Sequence, residues 1–148
     1  MESWLTLHEY PHPQVKAGNR LPTKVEIINA IEMTGSFRAQ DVDRKEFFAI
    51  SREPAPGGEY EVRIGCSDWE RLNISGNASI TMHGNFEVEL TLLEILSHRC
   101  GQLLLYPDTG DPCVVVEPGM DVGTVFALWK EAIKRIDAWQ YFFGRMNY

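Results

Sequence analysis

The feature that most constrains the fold is a long amphipathic stretch near the C-terminus, from Val122 to about Phe143. Its apolar residues recur at steps of three and four, which places them on one side of a helix with 3.6 residues per turn. They are Val125, Leu128, Trp129, Ala132, Ile133, Ile136, Trp139 and Phe143, and Lys130, Lys134 and Asp137 fall opposite. We expect Asp121 to cap this helix and Gly144 to end it. The pattern therefore predicts a closing helix with one core face and one solvent face.

Alternating apolar and polar residues predict strands before this helix. The alternation is clearest at Tyr60, Val62, Ile64 and Cys66, which we expect to point inward, whereas Glu59, Glu61 and Arg63 point outward. The predicted strands are Trp4–Tyr10 at a sheet edge, Glu46–Arg52 paired with Glu59–Cys66, Arg71–Ser75 paired with Ala78–His83, and Leu103–Tyr106 paired with Cys113–Val116 as central strands. These pairings predict consecutive antiparallel hairpins.

Two further helices are predicted between the strands. The first opens at Pro22-Thr23 and ends at Gly35, and a polar loop follows over Ser36–Arg44. Its helical pattern is carried by Val25, Ile28, Ile31 and Glu32, with Ile27 and Ala30 beside them. The second covers Glu89–Cys100, with Thr91 and Glu94 as a cap or an early turn. The order strand, helix, four strands, helix, two strands, helix predicts one α+β domain over residues 1–148. We expect a mostly antiparallel sheet of about five to seven strands with about three helices on it.

The net charge of −7 is concentrated in the middle of the chain. From Glu53 to Asp121 there are twelve acids against only Arg63, Arg71 and Arg99. Such an acidic segment argues against nucleic acid as a partner and favours a basic protein, although an acidic surface that only keeps the protein soluble fits equally well. Three cysteines without a CxxC pair, an N-terminus without a basic signal region and the lack of a long apolar run predict a cytoplasmic protein that does not bind membranes.

No motif in the sequence fixes a reaction. Asp108-Thr109-Gly110 matches the aspartic-protease triplet, but the second aspartate element is missing, so the triplet fits a hairpin turn better. Asp41-Val-Asp43 with Glu46 lacks the glycine of a calcium loop. His8 and His12 have the four-residue spacing of metal ligands, but Pro11 between them prevents the helix that would bring them together, and we expect all four histidines, including His83 and His98, to be structural or surface residues. We therefore predict no catalytic residue, metal or cofactor, and a small enzyme of unknown reaction remains the less favoured alternative.

Acids and aromatics outside the predicted core are the candidates for binding a protein partner. They are Glu59, Glu61, Asp68, Trp69, Glu70, Glu87, Glu89, Asp108, Asp111, Tyr141 and Phe142. Two alternatives stay open, namely that Trp69 caps the core and that the C-terminal tail folds back onto the sheet.

The front half of the chain resembles small cytosolic immunity proteins of bacterial polymorphic toxin systems, such as contact-dependent inhibition, type VI and Rhs toxins. The resemblance lies in the first strand Trp4–Tyr10, the segment Leu21–Ile31 and the strand around Lys45–Ser51. It implies a stoichiometric inhibitor, monomeric or homodimeric, that occludes one cognate toxin, often with an acidic face against a basic nuclease. These families share no site motif, so the resemblance assigns no residue.

The back half resembles acidic class I type III secretion chaperones, whose order is helix, three strands, helix, two strands, helix. Leu92–Gly101, the hairpin Gln102–Glu117 and the closing helix with Trp129 and Trp139 follow that order. This resemblance implies a homodimer that binds an extended effector segment. The chain before the first helix and the strand Ala78–His83 do not fit the order, so we favour the immunity protein.

Overall fold

The computed structural model describes residues 2–6, 20–53, 61–71, 79–107, 114–132 and 134 of the 148. The strands are β1 Glu2–Thr6, β2 Phe37–Asp41, β3 Glu46–Ser51, β4 Glu61–Gly65, β5 Ser79–Gly84, β6 Leu103–Pro107 and β7 Val114–Val116. The helices are α1 Lys24–Met33, α2 Phe86–Cys100 and α3 over residues 122–132, and Trp69–Arg71 forms a short 3-10 turn.

The seven strands form one antiparallel sheet in the order β2-β3-β4-β5-β1-β6-β7. The predicted α+β class and the antiparallel sheet are therefore confirmed, as are the β3–β4 and β6–β7 hairpins. The prediction that the first strand lies at an edge is wrong, because β1 pairs with β5 on one side and β6 on the other. Pro11 and Pro13 can end a strand, but they do not determine how many strands pair with it. Residues 7–10 of the predicted strand lie outside the described residues.

The two edges of the sheet also differ from the prediction. β2 forms one edge although Ser36–Arg44 was expected to be a loop, because Phe37 is the only large apolar residue in the strand and gives a weak signal. β7 forms the other edge and is not a central strand. β5 pairs with β4 and β1. The strand predicted to pair with it was Arg71–Ser75. Arg71 belongs to the 3-10 turn, and the other four residues lie outside the described residues.

α1 begins where the sequence predicts, because Thr23 and Glu26 form a reciprocal capping box. The Thr23 hydroxyl oxygen accepts from the backbone N–H of Glu26 at 3.2 Å, and a Glu26 carboxylate oxygen accepts from the backbone N–H of Thr23 at 3.0 Å. Gly35, with a φ of 69°, follows the last turn as expected. The buried face is Ile27, Ala30 and Ile31, whereas Val25 is 66% exposed, so the predicted apolar stripe is rotated around the helix.

α2 begins three residues earlier than predicted, because the side chain of Asn85 accepts from the backbone N–H of Val88 at 3.1 Å and caps the helix. Of the two alternatives for Thr91, the cap is therefore wrong, and a position within the early part of the helix remains. This residue lies inside the helix, where its hydroxyl donates to the Glu87 carbonyl at 2.9 Å. Gly101 ends the helix as predicted.

α3 begins after Asp121, whose carboxylate accepts from the backbone N–H of Thr124 at 3.1 Å, so the predicted cap is confirmed. Trp129 is buried and stacks on Phe86 with ring centroids 4.2 Å apart, whereas Leu128 is 64% exposed and does not belong to the core face. The predicted continuation of this helix, including Ile136, Asp137, Trp139, Phe143 and Gly144, lies outside the described residues. None of the described helices is long and apolar enough to span a membrane.

The main core lies between one face of the sheet and the helices. Register pairs place Phe47, Ile64 and Met82 side by side on this face, and all three are fully buried. Leu90 and Leu93 of α2 belong to the same apolar cluster. Residues directly opposite in antiparallel strands point to the same face, so the alternate residues of β2 to β5 form the other face of the sheet.

Candidate functional site

The residues predicted to bind a partner do not form one surface. Glu59, Asp108, Asp111, Tyr141 and Phe142 lie outside the described residues. Of the others, Glu61, Asp68, Glu70 and Glu87 are exposed, Trp69 is half-buried and Glu89 is buried.

Glu89 corrects the prediction of an exposed acid at this position. Its exposed fraction is 0%, and it lies in the first turn of α2 beside the buried Leu90. Glu89 lies three residues after Phe86 and four before Leu93, so all three share the buried face of α2.

Trp69 caps the end of the β3–β4 hairpin. Its indole Nε1 donates a hydrogen bond to the Lys45 carbonyl at 3.0 Å, and its ring centroid lies 5.9 Å from that of Phe47 in the core. The geometry matches the alternative in which Trp69 covers the core, and it holds the indole in place.

The exposed acids form two groups at opposite ends of β4. Asp68 and Glu70 follow the last residue of the strand. Glu61 starts the strand, and its carbonyl accepts from the backbone N–H of Asn85 at 3.3 Å, which brings the first turn of α2 and Glu87 to that end. The five residues of β4 span four steps of about 3.3 Å, so the two ends lie roughly 13 Å apart.

Several other acids of the middle segment support the fold. Glu94 accepts from the backbone N–H of Gly119 at 3.0 Å and contacts His98 at 2.8 Å, which connects α2 to the turn before α3. Asp121 caps α3, and Glu117 accepts a hydrogen bond from Gln102. The acidity of residues 53–121 is thus divided between structural contacts and exposed groups.

The face of β2 to β5 that points away from the helices carries exposed charged and polar side chains. We call it the open sheet face. Two cross-strand rows run over it, Glu46–Gly65–Thr81 and Gln40–Phe48–Arg63–His83. Arg38, Glu61, Arg63 and His83 are exposed on this face. Because each strand is hydrogen-bonded within the sheet, these side chains project from a rigid backbone.

A shallow pocket of about 270 Å³ lies on this face near the start of β3 and the end of β4, lined by Glu46, Arg63, Gly65, Thr81 and His83. Arg63 donates through Nε to Glu46 Oε2 at 2.9 Å and through Nη2 to the same oxygen. The guanidinium also lies 5.6 Å from the ring centroid of Phe48. Arg63 is 48% exposed, so the ion pair adds at most about 1 kcal/mol to stability and mainly positions the two groups.

Sequence reasoning identified Glu61 on this face but missed the pocket. The alternation of β4 points Arg63 outward, and the same period applied to the predicted strand Ala78–His83 would have pointed Thr81 and His83 outward. The pairing of β4 with β5 was not predicted, and only that pairing places Arg63 beside His83.

A second concavity of about 310 Å³ lies between α1 and α2, with Ala30, Ile95 and Leu96 among its lining residues. The two acids that border it, Glu26 and Glu94, already form hydrogen bonds with other residues. Glu26 forms a bidentate ion pair with Arg20 at 2.6 and 2.7 Å, which lowers the Glu26 pKa from 4.5 to about 2 against the opposing effect of burial. The hydrogen bond from Gly119 and the contact with His98 likewise lower the Glu94 pKa, although burial opposes them.

The described residues contain no cluster of three or more His, Cys, Asp or Glu side chains that could hold a metal ion. In the loop from Asp41 to Glu46, the Asp43 carboxylate accepts hydrogen bonds from the backbone N–H groups of Lys45 and Glu46 at 2.7 and 2.8 Å, which closes a turn. Burial raises the pKa of the Cys100 thiol to about 11 and also raises that of Cys66, so both are protonated at neutral pH.

No protein-family model matches the chain, and searches of curated proteins and of solved structures give no significant match.

Proposed function

We propose that this protein is a cytoplasmic immunity protein that binds a cognate bacterial toxin and neutralises it by occlusion. The observation that carries the proposal is the open sheet face, a rigid charged surface with exposed acids at both ends of β4. Glu61 and Glu87 lie at one end, and Asp68 and Glu70 lie at the other. A surface of this kind fits a protein partner with complementary charge.

Electrostatic steering supports a basic partner. The chain carries a net charge of −7, and the exposed acids flank the face on which we expect the partner to dock. Such a field raises the rate at which a positively charged domain is captured, and the sheet is already ordered, so little entropy is lost when it binds. An inhibitor that must act before its toxin reaches a substrate benefits from both properties.

The chaperone alternative is less well supported. The order of those chaperones begins with a helix and has three strands between its first and second helices, whereas here β1 precedes α1 and β5 is a fourth described strand between α1 and α2. These two additional strands are neighbours in the middle of the sheet and connect β4 to β6. The chaperone function also requires an obligate homodimer, so the mass in solution by light scattering tests it directly.

The test of the proposed function is coexpression with the protein encoded immediately upstream. We expect the chain to protect cells from that protein and to copurify with it. Charge reversal by Glu61→Lys with Glu70→Lys should weaken both effects, whereas Glu131→Lys, at an exposed acid of α3, is the matched control. A chain that neither protects nor copurifies would exclude the proposal.

A further inference from the structure

The pocket on the open sheet face contains a carboxylate oxygen that the fold leaves available. Both hydrogen bonds from Arg63 go to Glu46 Oε2. No described residue donates a hydrogen bond to the other oxygen, Oε1. That oxygen lies above Gly65, where it would be 3.6 Å from a Cβ atom placed on the glycine.

Gly65 keeps this oxygen accessible. A Cβ atom at this position would lie 3.0 Å from Cγ of Glu46, so the Glu46 side chain would have to shift by a few tenths of an ångström. On the other side of Gly65, Thr81 adds a hydroxyl oxygen, and the His83 ring also lines the pocket. Two acceptor oxygens therefore border the same small volume.

The net charge of the chain favours a cation. The positive charge of Arg63 is paired with Glu46 and packed over Phe48, so it is largely compensated where it lies. At the end of β4 where Gly65 lies, the exposed acids Asp68 and Glu70 are matched by the exposed bases Lys45 and Arg71, and Arg71 Nε lies 3.9 Å from Asp68 Oδ2. The net charge of −7 over the whole chain therefore sets the sign of the field. An anion would approach against this field, whereas a cation would approach along it.

We infer that this pocket receives one basic side chain, a lysine or an arginine, which the protein partner projects onto the open sheet face. The inference rests on the proposed function, since it names the chemical group by which that partner is recognised. A volume of about 270 Å³ suits a single long side chain. The incoming donor binds Glu46 Oε1, with Thr81 and His83 beside it.

The pocket can be tested without the partner, with N-acetyl-arginine amide as the cationic probe and N-acetyl-aspartate amide as the anionic probe. Backbone amide shifts of Gly65 and Thr81 in NMR spectra of the full chain report binding. We expect the arginine probe alone to shift these signals at millimolar concentration. Glu46→Gln should weaken its binding by roughly fivefold, the effect of one partly exposed charge pair. Glu131→Gln on α3 is the control and should change nothing.

The variant Arg63→Gln tests whether the pocket binds a cation or an anion. Removing the guanidinium frees Glu46 Oε2 and removes a repelling cation, so we expect the arginine probe to bind roughly fivefold more tightly. If this variant instead loses binding, or if the aspartate probe shifts the same signals, the pocket takes an anion and the inference is wrong. The absence of any shift with either probe also overturns it. Thr81→Val, which removes one acceptor, is a second variant that should weaken binding if Glu46→Gln does not fold.

Different experimental results would contradict the inference about the pocket and the proposed function. If the wild-type chain copurifies with its partner but Glu46→Gln and Gly65→Ala leave the affinity unchanged, the pocket does not recognise a basic side chain although the function stands. If the chain captures no partner but binds the arginine probe as expected, the pocket stands and the proposed function does not.

Discussion

Trp69 and Lys45 are joined by a hydrogen bond from the indole Nε1 to the backbone carbonyl, at 3.0 Å. The backbone N–H of Cys66 donates to the same oxygen, also at 3.0 Å. One carbonyl of the β2–β3 turn therefore holds both the end of β4 and the tryptophan that follows it. This arrangement makes Trp69 a part of the fold in addition to any contact it makes with a partner.

Replacement of Trp69 by phenylalanine should reduce the free energy of unfolding by about 1 kcal/mol, the value of one hydrogen bond. The ring contact with Phe47 is retained, so the variant should fold. Urea denaturation measures the change. If Trp69→Phe leaves stability unchanged but abolishes partner binding, the indole is a binding anchor and does not cap the core.

Glu26 should make the protein sensitive to acid. Its ion pair with Arg20 lowers its pKa from 4.5 to about 2, so the native state holds this proton more weakly than the unfolded chain does. The stabilisation is therefore fully present above about pH 4.5 and is lost as the pH falls to about 2. Unfolding curves of the wild type and Glu26→Gln should differ at neutral pH and converge near pH 2. A difference that persists unchanged at pH 2 would contradict the role of this ion pair.

The free edge of β2 is covered by side chains. Arg52 Nε donates to the Phe37 carbonyl at 3.1 Å, and Glu32, paired with Arg52 at 2.7 Å, accepts from the backbone N–H of Ala39 at 3.5 Å. Exposed strand edges invite pairing with other chains. We expect Arg52→Ala with Glu32→Ala to self-associate at concentrations where the wild type does not, as measured by light scattering. Arg38→Ala, on the open face of the same strand, is the control and should leave the mass unchanged.

Gly84 should not tolerate a side chain. Its φ is 149°, and a Cβ atom there would lie 2.2 Å from the Glu61 carbonyl oxygen, where β4 meets the start of α2. We expect Gly84→Ala to lower the free energy of unfolding by about 3 kcal/mol or more, or to prevent folding. Gly119 also has a positive φ, 81°, but has nothing within 4 Å of the same position. Gly119→Ala should therefore cost only about 1 kcal/mol, and equal losses for the two variants would contradict the steric argument.

Local signals in the sequence predict the individual helices and strands better than they predict which strands pair with each other. The alternation in β4, the helix start at Pro22-Thr23 and the stop at Gly35 depend on residues close in the chain, and all three are confirmed. β1 was misplaced because its partners β5 and β6 lie far along the chain, and no local pattern encodes that choice. The apolar stripes of α1 and α3 were rotated because Val25 and Leu128 have the right spacing but point to solvent.

The candidate site was only partly predictable for the same reason. Exposure of Glu61, Asp68, Glu70 and Glu87 follows from their charge, whereas Glu89 is buried despite its charge because it shares the face of α2 that carries Phe86 and Leu93. The pocket requires strands β3, β4 and β5 to lie side by side in one register. Twenty residues separate Arg63 from His83 in the sequence, and only the pairing of β4 with β5 places them opposite each other.

The central claim is stoichiometric neutralisation of a cognate toxin, and the most direct test is a titration with purified proteins. The activity of the upstream-encoded toxin is measured while this chain is added from zero to an excess. We predict that activity falls linearly and vanishes at one equivalent, and that Glu61→Lys with Glu70→Lys needs a clear excess to reach the same inhibition. Toxin activity that stays unchanged at a large excess of the wild-type chain would contradict the account.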